Sequence, residues 1–405
     1  MSDLLSIVVV GEINSGKSTL IGRFLFEMHA FSYSTISELK NICKRLNHDF
    51  EFAYFLDSFE EERRGEFTID TTQVFCKTKK DSGFLFIDVP GHQQLFKNML
   101  CGSSYADMAI VVIDVKKCLE KGTKRHIDTL RFLEIDKIII ALNKMDTVGF
   151  SKKTFQDAKE RINKYLEGVG VKSDFFIPIS AQQGDNIIRK STRMPWYNGL
   201  SVYETINIFK RRYIKKEKQG FYFPIQDIYL LDGYKLVVGP ILSGEIKKGQ
   251  HLMASPLGEE FKVKAIRGFN KFKTSAKANE SVGLLLDKVG NLKRGQILSK
   301  GDSLEVTNEI EAKIFCTQSV NQNETFILKS LTQTTSARIT QIKMARNAGN
   351  IRLAVDSNNL IEQDIAKVTI RVKDQIAIKK FRQFHSLGRF VLLNNAGICA
   401  VGIIV

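Results

Sequence analysis

The first 210 residues alternate two patterns, and together these patterns allow few folds. Stretches with apolar residues at helical spacing, such as Thr123–Glu134 and Thr154–Glu167, separate runs of β-branched and aromatic residues that are typical of strands. The strand-like runs are Ser6–Val10, Phe84–Ile87, Met108–Ile113, Lys137–Leu142 and Phe175–Ile179. Because strands that alternate with helices form βαβ units, the sequence predicts an α/β domain with a doubly wound, mostly parallel sheet.

The pattern changes after about residue 216. Short alternating runs such as Phe221–Tyr229 and Val282–Leu286 follow one another with Gly or Asn between them, and this half of the sequence has no strongly helical stretch. This half is typical of β-barrels, and a second all-β stretch extends from about Ile310 to Val405. We therefore predict three domains: an α/β domain over 1–215 and two barrels over 216–305 and 306–405.

Composition limits the cellular compartment and the partners that we expect for the chain. Its apolar runs are far shorter than the roughly 20 residues that span a bilayer, and its N-terminus has no basic leader, so we expect a cytoplasmic protein without a membrane partner. The 6 cysteines form no Cys-x-x-Cys pair, which favours reduced thiols over a zinc site. The net charge of +16 is spread over all three predicted domains. A polyanionic partner therefore stays open, without one basic segment to mark it.

A phosphate-binding loop follows the first strand. Residues Gly11–Ser18 fit the pattern G-x-x-x-x-G-K-[ST] between a strand and a helix, where backbone N–H groups and the helix N-terminus can surround a phosphate. Lys17 is expected to reach the β- and γ-phosphates and to act in catalysis, and the Ser18 hydroxyl to bind Mg²⁺. The residues predicted to contact the nucleotide here are Asn14, Ser15, Gly16, Lys17, Ser18 and Thr19.

A second motif, Asp88-Val-Pro-Gly91-His92, ends the strand Phe84–Ile87. A carboxylate at the carboxyl end of such a strand faces the ligand crevice, so we expect Asp88 to hold the Mg²⁺ hydration shell. The N–H of Gly91 is expected to meet the γ-phosphate, which places His92 beside the attacking water as a catalytic residue.

The base is read by a third motif, Asn143-Lys144-Met145-Asp146, just past another strand. The Asp146 carboxylate can accept two parallel N–H bonds from guanine, and adenine has no such donor pair. Ser180 and Ala181 are expected to complete the base pocket, with a backbone N–H to the guanine O6. The motif therefore predicts GTP and GDP, rather than ATP, as the ligands.

One further residue is expected to sense the γ-phosphate. Thr68 lies in the segment Arg64–Asp70, between the first helix region and the strand that ends at Asp88. Its hydroxyl can bind Mg²⁺ and its N–H the γ-phosphate, so this segment would be held only while GTP is intact. We therefore count Thr68 among both the catalytic and the metal-binding residues.

This ordered set of motifs resembles the translation-factor class of GTPases over nearly the whole chain. Within the class, the segment Phe52–Arg63 resembles both elongation factor 1-alpha and the large GTP-binding subunit of bacterial sulfate adenylyltransferase. The first resemblance implies a GTPase that binds aminoacyl-tRNA and the ribosome. The second implies a GTPase that drives the conversion of ATP and sulfate to adenylylsulfate together with a small catalytic subunit.

Details of the motifs favour the sulfate-activation subunit. Thr123–His126, Asn143–Thr147 and Met194–Gly199 are more similar to that subunit, whereas Gly388–Phe390 has the elongation-factor form. The chain also departs from both relatives: Glu12 and Ile13 replace the usual His-Val in the phosphate loop, Glu66 and Phe67 stand where an Ile is usual, and Gly122 replaces a Gln. Both readings stay open at this point, together with a GTPase switch that has no catalytic partner.

Overall fold

The computed structural model describes most of the chain in two compact units, Met1–Lys216 and Glu217–Val405. The described residues are 4–30, 37, 52, 72–77, 83–88, 106–173, 175–213, 220–231, 234–268, 271–288, 290–301, 304–347, 353–354 and 359–405. Within these ranges no helix is long and apolar enough to cross a membrane. The domain boundaries near 215 and 305 stay predictions.

The first unit is built on one sheet with helices between its strands. Its described strands are β1 (Leu4–Val10), β2 (Thr72–Lys77), β3 (Gly83–Asp88), β4 (Met108–Asp114), β5 (Ile138–Asn143) and β6 (Phe175–Pro178). Its described α-helices are α1 (Lys17–Glu27), α2 (Lys121–Phe132), α3 (Lys152–Gly168) and α4 (Val202–Tyr213), and a 3₁₀ turn covers Met145–Val148.

The strand order is β2-β3-β1-β4-β5-β6, with only β2 antiparallel to its neighbour. The central strand β1 is apolar throughout Ile7–Val10, and these four side chains are fully buried. Continuous apolar runs are what a parallel strand covered on both faces requires. The structure thus confirms the predicted α/β class and its mostly parallel sheet.

The connectivity places the predicted motifs at one edge of this sheet. The order reverses beside β1, since β3 lies on one side of it and β4 on the other. In open α/β sheets, ligands bind outside the carboxyl ends of the strands at such a reversal. The loop after β1, Asp88 at the end of β3 and Asn143 at the end of β5 all lie at these ends.

The described part of the second unit contains two large antiparallel sheets and two short strand pairs. The strands of the first part are β7 (Phe221–Pro224), β8 (Asp227–Leu231), β9 (Tyr234–Pro240), β10 (Glu245–Lys247), β11 (His251–Ser255), β12 (Glu259–Arg267), β13 (Phe272–Lys273), β14 (Ser275–Lys277), β15 (Ser281–Leu286) and β16 (Ile297–Lys300). The first large sheet has the order β7-β16-β11-β12-β15-β9-β8, with β13 beside β12, and β10 and β14 form a separate pair. The predicted run Phe221–Tyr229 forms two strands, β7 and β8, because between them the Ile225 N–H donates to the carbonyl oxygen of Gln296 and the Gln226 N–H to that of Val238.

The second sheet closes on itself. The strands here are β17 (Glu305–Cys316), β18 (Val320–Asn321), β19 (Phe326–Ser330), β20 (Gln333–Asn347), β21 (Leu353–Ala354), β22 (Asn359–Leu360), β23 (Asp364–Ile378), β24 (Arg389–Asn394) and β25 (Gly397–Ile404). The order β19-β24-β25-β17-β23-β20 is closed by pairing of β20 with β19, and β21 pairs with β20. A short pair, β18-β22, lies outside this sheet. A 3₁₀ turn at His385–Leu387 precedes β24.

Candidate nucleotide-binding site

The loop 11–16 joins β1 directly to α1 and has the backbone form that a phosphate loop needs. Gly16 has a φ of 91°, and a Cβ there would lie 2.3 Å from the side-chain nitrogen of Asn143. A Cβ on Gly11 would lie 2.2 Å from the carbonyl oxygen of Val112. Glycine is therefore required at both positions by close approach of neighbouring groups, and at Gly16 also by the left-handed backbone.

Lys17 begins α1 and turns its ammonium group back over the loop. Its Nζ donates to the carbonyl oxygens of Gly11 and Glu12, each at 2.9 Å. Burial lowers the pKa of Lys17, while the carboxylates of Asp88 and Glu12 act in the opposite direction. The structure therefore holds a desolvated cation at the mouth of the loop, and a polyanion is the ligand that most favours such a cation.

Ser18 and Asp88 bring two oxygen donors together beside this loop. The Ser18 hydroxyl donates to Asp88 Oδ2 at 3.1 Å, although 70 residues separate them in the chain. Hydroxyl and carboxylate oxygens are the ligand types that Mg²⁺ takes in phosphate sites. Nearby, Ser15 Oγ is buried and has no hydrogen-bond partner among the described residues. Both observations fit a site that a nucleotide and its metal ion would complete.

Asn143 connects the phosphate loop to the opposite side of the site. Its side-chain amide donates to the carbonyl oxygen of Ser15 at 2.8 Å, and its Oδ1 accepts from the N–H of Ala181 at 2.9 Å. The residue is only 2% exposed. Because one buried amide bonds both segments, it fixes the distance between the phosphate loop and the segment of Ser180 and Ala181, which we call the base loop.

The acidic residue predicted to read guanine is also held in place. Asp146 Oδ1 accepts a hydrogen bond from the hydroxyl of the fully buried Ser180 at 2.6 Å. Lys144, in a left-handed conformation, pairs its Nζ with Asp114 Oδ2 at 2.9 Å. The structure thus brings the predicted Asn143, Lys144, Asp146, Ser180 and Ala181 together at the carboxyl ends of β5 and β6.

Sequence reasoning missed two residues of this neighbourhood. Asp114, at the end of β4, holds Lys144, and its position at a strand's carboxyl end was the signal that could have found it. Arg23 of α1 donates to the carbonyl oxygen of Gln182 at 3.2 Å and so ties α1 to the base loop. No pattern in the sequence links Arg23 to a loop 159 residues away.

The remaining predicted residues divide into two groups. Asn14 has a left-handed φ of 62° and is exposed in the loop, and Thr19 is half-buried in the first turn of α1. Thr68, Gly91 and His92 lie outside the described residues, so their proposed roles stay predictions.

Comparison with known proteins identifies the class that this fold and site define. Residues 2–292 match the family model of the elongation factor Tu GTP binding domain, and residues 309–405 match the GTP-eEF1A C-terminal domain-like family. The first match covers well over half of the chain. The chain therefore belongs to the elongation factor Tu family of GTPases, with β-barrel domains after its GTPase domain, and this GTPase domain implies binding of a guanine nucleotide.

Individual relatives carry two different names at the same level of similarity. Elongation factor 1-alpha of Ignicoccus hospitalis is 30% identical over 99% of this chain and 95% of its own length. Sulfate adenylyltransferase subunit 1 of Bacteroides thetaiotaomicron is also 30% identical, over 100% of this chain and 86% of its own length. Among solved structures, sup35 complexed with GDP covers 100% of this chain and 94% of its own at 20% identity and a TM-score of 0.46, too low to bear on function. Overall identity thus confirms a translation-factor-like GTPase and does not separate the two roles.

Proposed function

We propose that the chain is the GTP-binding and GTP-hydrolysing subunit of a sulfate adenylyltransferase complex, in which a separate small subunit makes adenylylsulfate from ATP and sulfate. The observation that carries the nucleotide assignment is the Asp146 carboxylate, held by Ser180 at 2.6 Å at the same sheet edge as the phosphate loop. A carboxylate fixed in this way can accept two N–H bonds from guanine. Adenine would leave it unpaired, and unpaired buried groups give large discrimination factors.

The phosphate end of the site supports binding of a triphosphate with Mg²⁺. Ser18, Asp88 and Thr68 are the residues that would hold the ion, and the contact between Ser18 and Asp88 already places two of its oxygen donors together. When bound, the ion supplies positive charge to the β- and γ-phosphate oxygens. The Lys17 ammonium and the backbone N–H groups of the loop bind the same phosphates from the side of α1.

Hydrolysis by such a site is mainly a matter of positioning. Water attacks the γ-phosphorus, the bond to the β–γ bridging oxygen breaks, and GDP and inorganic phosphate leave. We assign to His92 the orientation of this water. Thr68 and Gly91 sense the γ-phosphate, so its loss releases their two segments and changes the affinity for a partner.

The sulfate-activation role rests on three segments of the GTPase domain. Thr123–His126, Asn143–Thr147 and Met194–Gly199 resemble the large subunit of sulfate adenylyltransferase. The last segment contacts the chain shortly after Asp146, since Trp196 Nε1 donates to the carbonyl oxygen of Phe150 at 3.0 Å. The sequence has one phosphate-loop motif and no His-x-Gly-His motif of nucleotidylyltransferases, so a second subunit would have to carry adenylyl transfer. That small subunit is the partner we propose, in the cytoplasm.

An elongation-factor-like role, with aminoacyl-tRNA and the ribosome as partners, is the alternative. Two observations favour it: Gly388–Phe390 has the elongation-factor form, and the net charge is +16. A basic protein that binds RNA through phosphate contacts loses affinity steeply as salt rises.

One experiment separates the two roles. The purified chain is mixed with a separately produced small subunit of sulfate adenylyltransferase, ATP, radiolabelled sulfate and GTP, and adenylylsulfate is measured. We expect synthesis that requires both subunits and GTP, and the Asp146→Asn variant should make the same synthesis respond to xanthosine triphosphate. No stimulation by the chain, combined with salt-sensitive binding of aminoacyl-tRNA, would support the alternative. No response in either assay would favour a switch without a catalytic partner.

The role of His92 has its own test. His92→Ala should leave the dissociation constant for GTP unchanged and slow hydrolysis about 100-fold or more, because a group that positions water acts on the rate and not on ground-state binding. Single-turnover release of phosphate measures the rate, and titration with a fluorescent GTP analogue measures binding. A proportional loss of both would remove His92 from the mechanism.

A further inference from the structure

Glu12 places a carboxylate in the middle of the phosphate loop, and this side chain reaches α2. Its Oε1 accepts a hydrogen bond from the backbone N–H of Thr123 at 3.2 Å, across 111 residues of sequence. Thr123 lies in the first turn of α2, where backbone N–H groups lack partners within the helix and the positive end of the helix dipole lies. A carboxylate is therefore the favoured group at this end of α2.

Gly122 provides the space for this contact. A Cβ on Gly122 would lie 2.2 Å from Glu12 Oε1 and 2.6 Å from Glu12 Oε2. Gly122 is an α2 residue without a left-handed backbone, so its own conformation does not demand glycine. What demands glycine is the carboxylate packed against it. Glu12 and Gly122 are also two of the departures from the family pattern noted above, and the structure brings them into contact.

The main chain of Glu12 transmits the position of this side chain to the phosphate site. The Glu12 carbonyl oxygen accepts from Lys17 Nζ at 2.9 Å and from the N–H of Ser15 at 3.1 Å. If the Glu12 carboxylate lost its contact with α2, the Glu12 carbonyl group would be free to move, and Lys17 and the turn at Ser15 would shift with it. One residue thus connects α2 to the ammonium group that meets the phosphates.

We propose that Glu12 is a positioning residue, whose contact with Gly122 and Thr123 on α2 holds the phosphate loop in its nucleotide-binding shape. The proposal rests on the guanine-nucleotide binding proposed above. It assigns Glu12 no contact with the nucleotide. Its effect is on affinity, through the loop and Lys17.

The test is a double-mutant cycle with Glu12→Ala and Gly122→Ala, read out as affinity for a fluorescent guanosine diphosphate. Gly122→Ala alone should weaken binding about tenfold, since it displaces a charge-assisted hydrogen bond. In the Glu12→Ala background the same change should have no effect on affinity, because no carboxylate remains to displace. Intrinsic helix propensity favours alanine over glycine, so a loss in the first background cannot come from the helix itself.

Two further variants sharpen the cycle. Glu12→Gln keeps an oxygen that can accept from Thr123 and should recover most of the affinity lost in Glu12→Ala. Gly168→Ala, at the end of α3, is the matched control, because a Cβ there meets nothing within 4 Å. It should bind the nucleotide like the unchanged protein.

Equal losses from Gly122→Ala in both backgrounds, or no loss in either, would overturn the proposal. So would a Glu12→Gln variant as weak as Glu12→Ala, since the effect would then come from charge and not from position. If the unchanged protein binds no guanine nucleotide, the proposed function fails. The contact between Glu12 and Gly122 is then tested by the same double-mutant cycle, read out as the melting temperature of the nucleotide-free protein. Coupled effects of the two substitutions would support the contact, and additive effects would contradict it.

Discussion

The two sides of the nucleotide site differ in how far the protein alone completes them. On the base side, Asn143 bonds both Ser15 and Ala181, and Asp146 is held by Ser180. On the phosphate side, the described part of the chain offers no hydrogen-bond partner to the buried Ser15 Oγ, and Lys17 carries a pKa lowered by burial. The protein holds both sides in shape, but on the base side the polar groups pair with one another, whereas the phosphate side also contains a buried hydroxyl and a desolvated ammonium group that a ligand would stabilise.

This difference has a consequence for how the site works. A preorganised base loop gives selectivity that is the same with or without phosphates. Because the phosphate side depends on its ligand, nucleotide affinity responds to the number of phosphates that the nucleotide carries. A GTPase that acts as a switch needs this response. Substitutions on the base side should therefore change the stability of the free protein, the base preference or the affinity for guanine, whereas those on the phosphate side should change nucleotide affinity without changing base preference.

Asp146→Asn should cause the largest change. An amide in place of the carboxylate loses one guanine N–H acceptor and gains a donor for the O2 of xanthine. The preference for guanosine over xanthosine triphosphate should therefore shift about 10⁴-fold. Competition between the two nucleotides for a fluorescent analogue measures the shift. An unchanged guanine preference would show that Asp146 does not read the base.

Lys17→Met should weaken nucleotide binding about 100-fold, because a hydrogen-bonded charge at the phosphates is lost. The melting temperature of the nucleotide-free protein should fall little, since the loss of the hydrogen bonds to the Gly11 and Glu12 carbonyl oxygens is offset by removal of an ammonium group that burial disfavours. Isothermal titration and thermal denaturation give the two quantities. Lys116→Met, at an exposed position after β4, is the control and should change neither. A large drop in melting temperature would show that Lys17 stabilises the nucleotide-free protein, as the residues of the base side do.

Asn143→Ala should lower the stability of the nucleotide-free protein by about 2–4 kcal/mol, because it leaves the Ser15 carbonyl and the Ala181 N–H buried without this partner. Thermal or urea denaturation of the free protein measures the loss. Asn163→Ala on the surface of α3, where the amide bonds Glu167, should cost less than about 1 kcal/mol. Equal effects of the two substitutions would contradict preorganisation of the base side.

Ser180→Ala should have the smallest effect. It removes one hydroxyl donor from Asp146, which corresponds to about 1 kcal/mol or roughly a fivefold loss of guanine-nucleotide affinity. Base preference should survive, because the carboxylate remains. Competition binding against xanthosine triphosphate checks this. A loss as large as that of Asp146→Asn would mean that the hydroxyl, and not the carboxylate, determines the base.

The sequence pointed to residues that the structure brings together, but not to the contacts that hold them. The strand run Ser6–Val10 and the loop after it are local patterns, and they appear in the structure as β1 and the phosphate loop. The contact of Glu12 with Thr123 joins residues 111 positions apart and depends on α2 lying beside the loop. Strand and helix periodicity contains no information about such pairings.

The barrels show a second reason for an incomplete prediction. The run Phe221–Tyr229 is continuous in the sequence pattern, with no Gly or Asn inside it. In the structure it is divided at Ile225 and Gln226, whose N–H groups donate to the carbonyl oxygens of Gln296, just before β16, and of Val238, in β9. Such a change of backbone partner depends on where the other strands lie, and hydrophobic periodicity contains no information about it.

The most direct test of the account is calorimetric titration of the purified protein with GTP, GDP and ATP, with and without Mg²⁺. We expect saturable binding of one guanine nucleotide per chain, a stronger interaction with GTP when Mg²⁺ is present, and no measurable heat with ATP. Equal binding of ATP, or no binding of either guanine nucleotide, would contradict it.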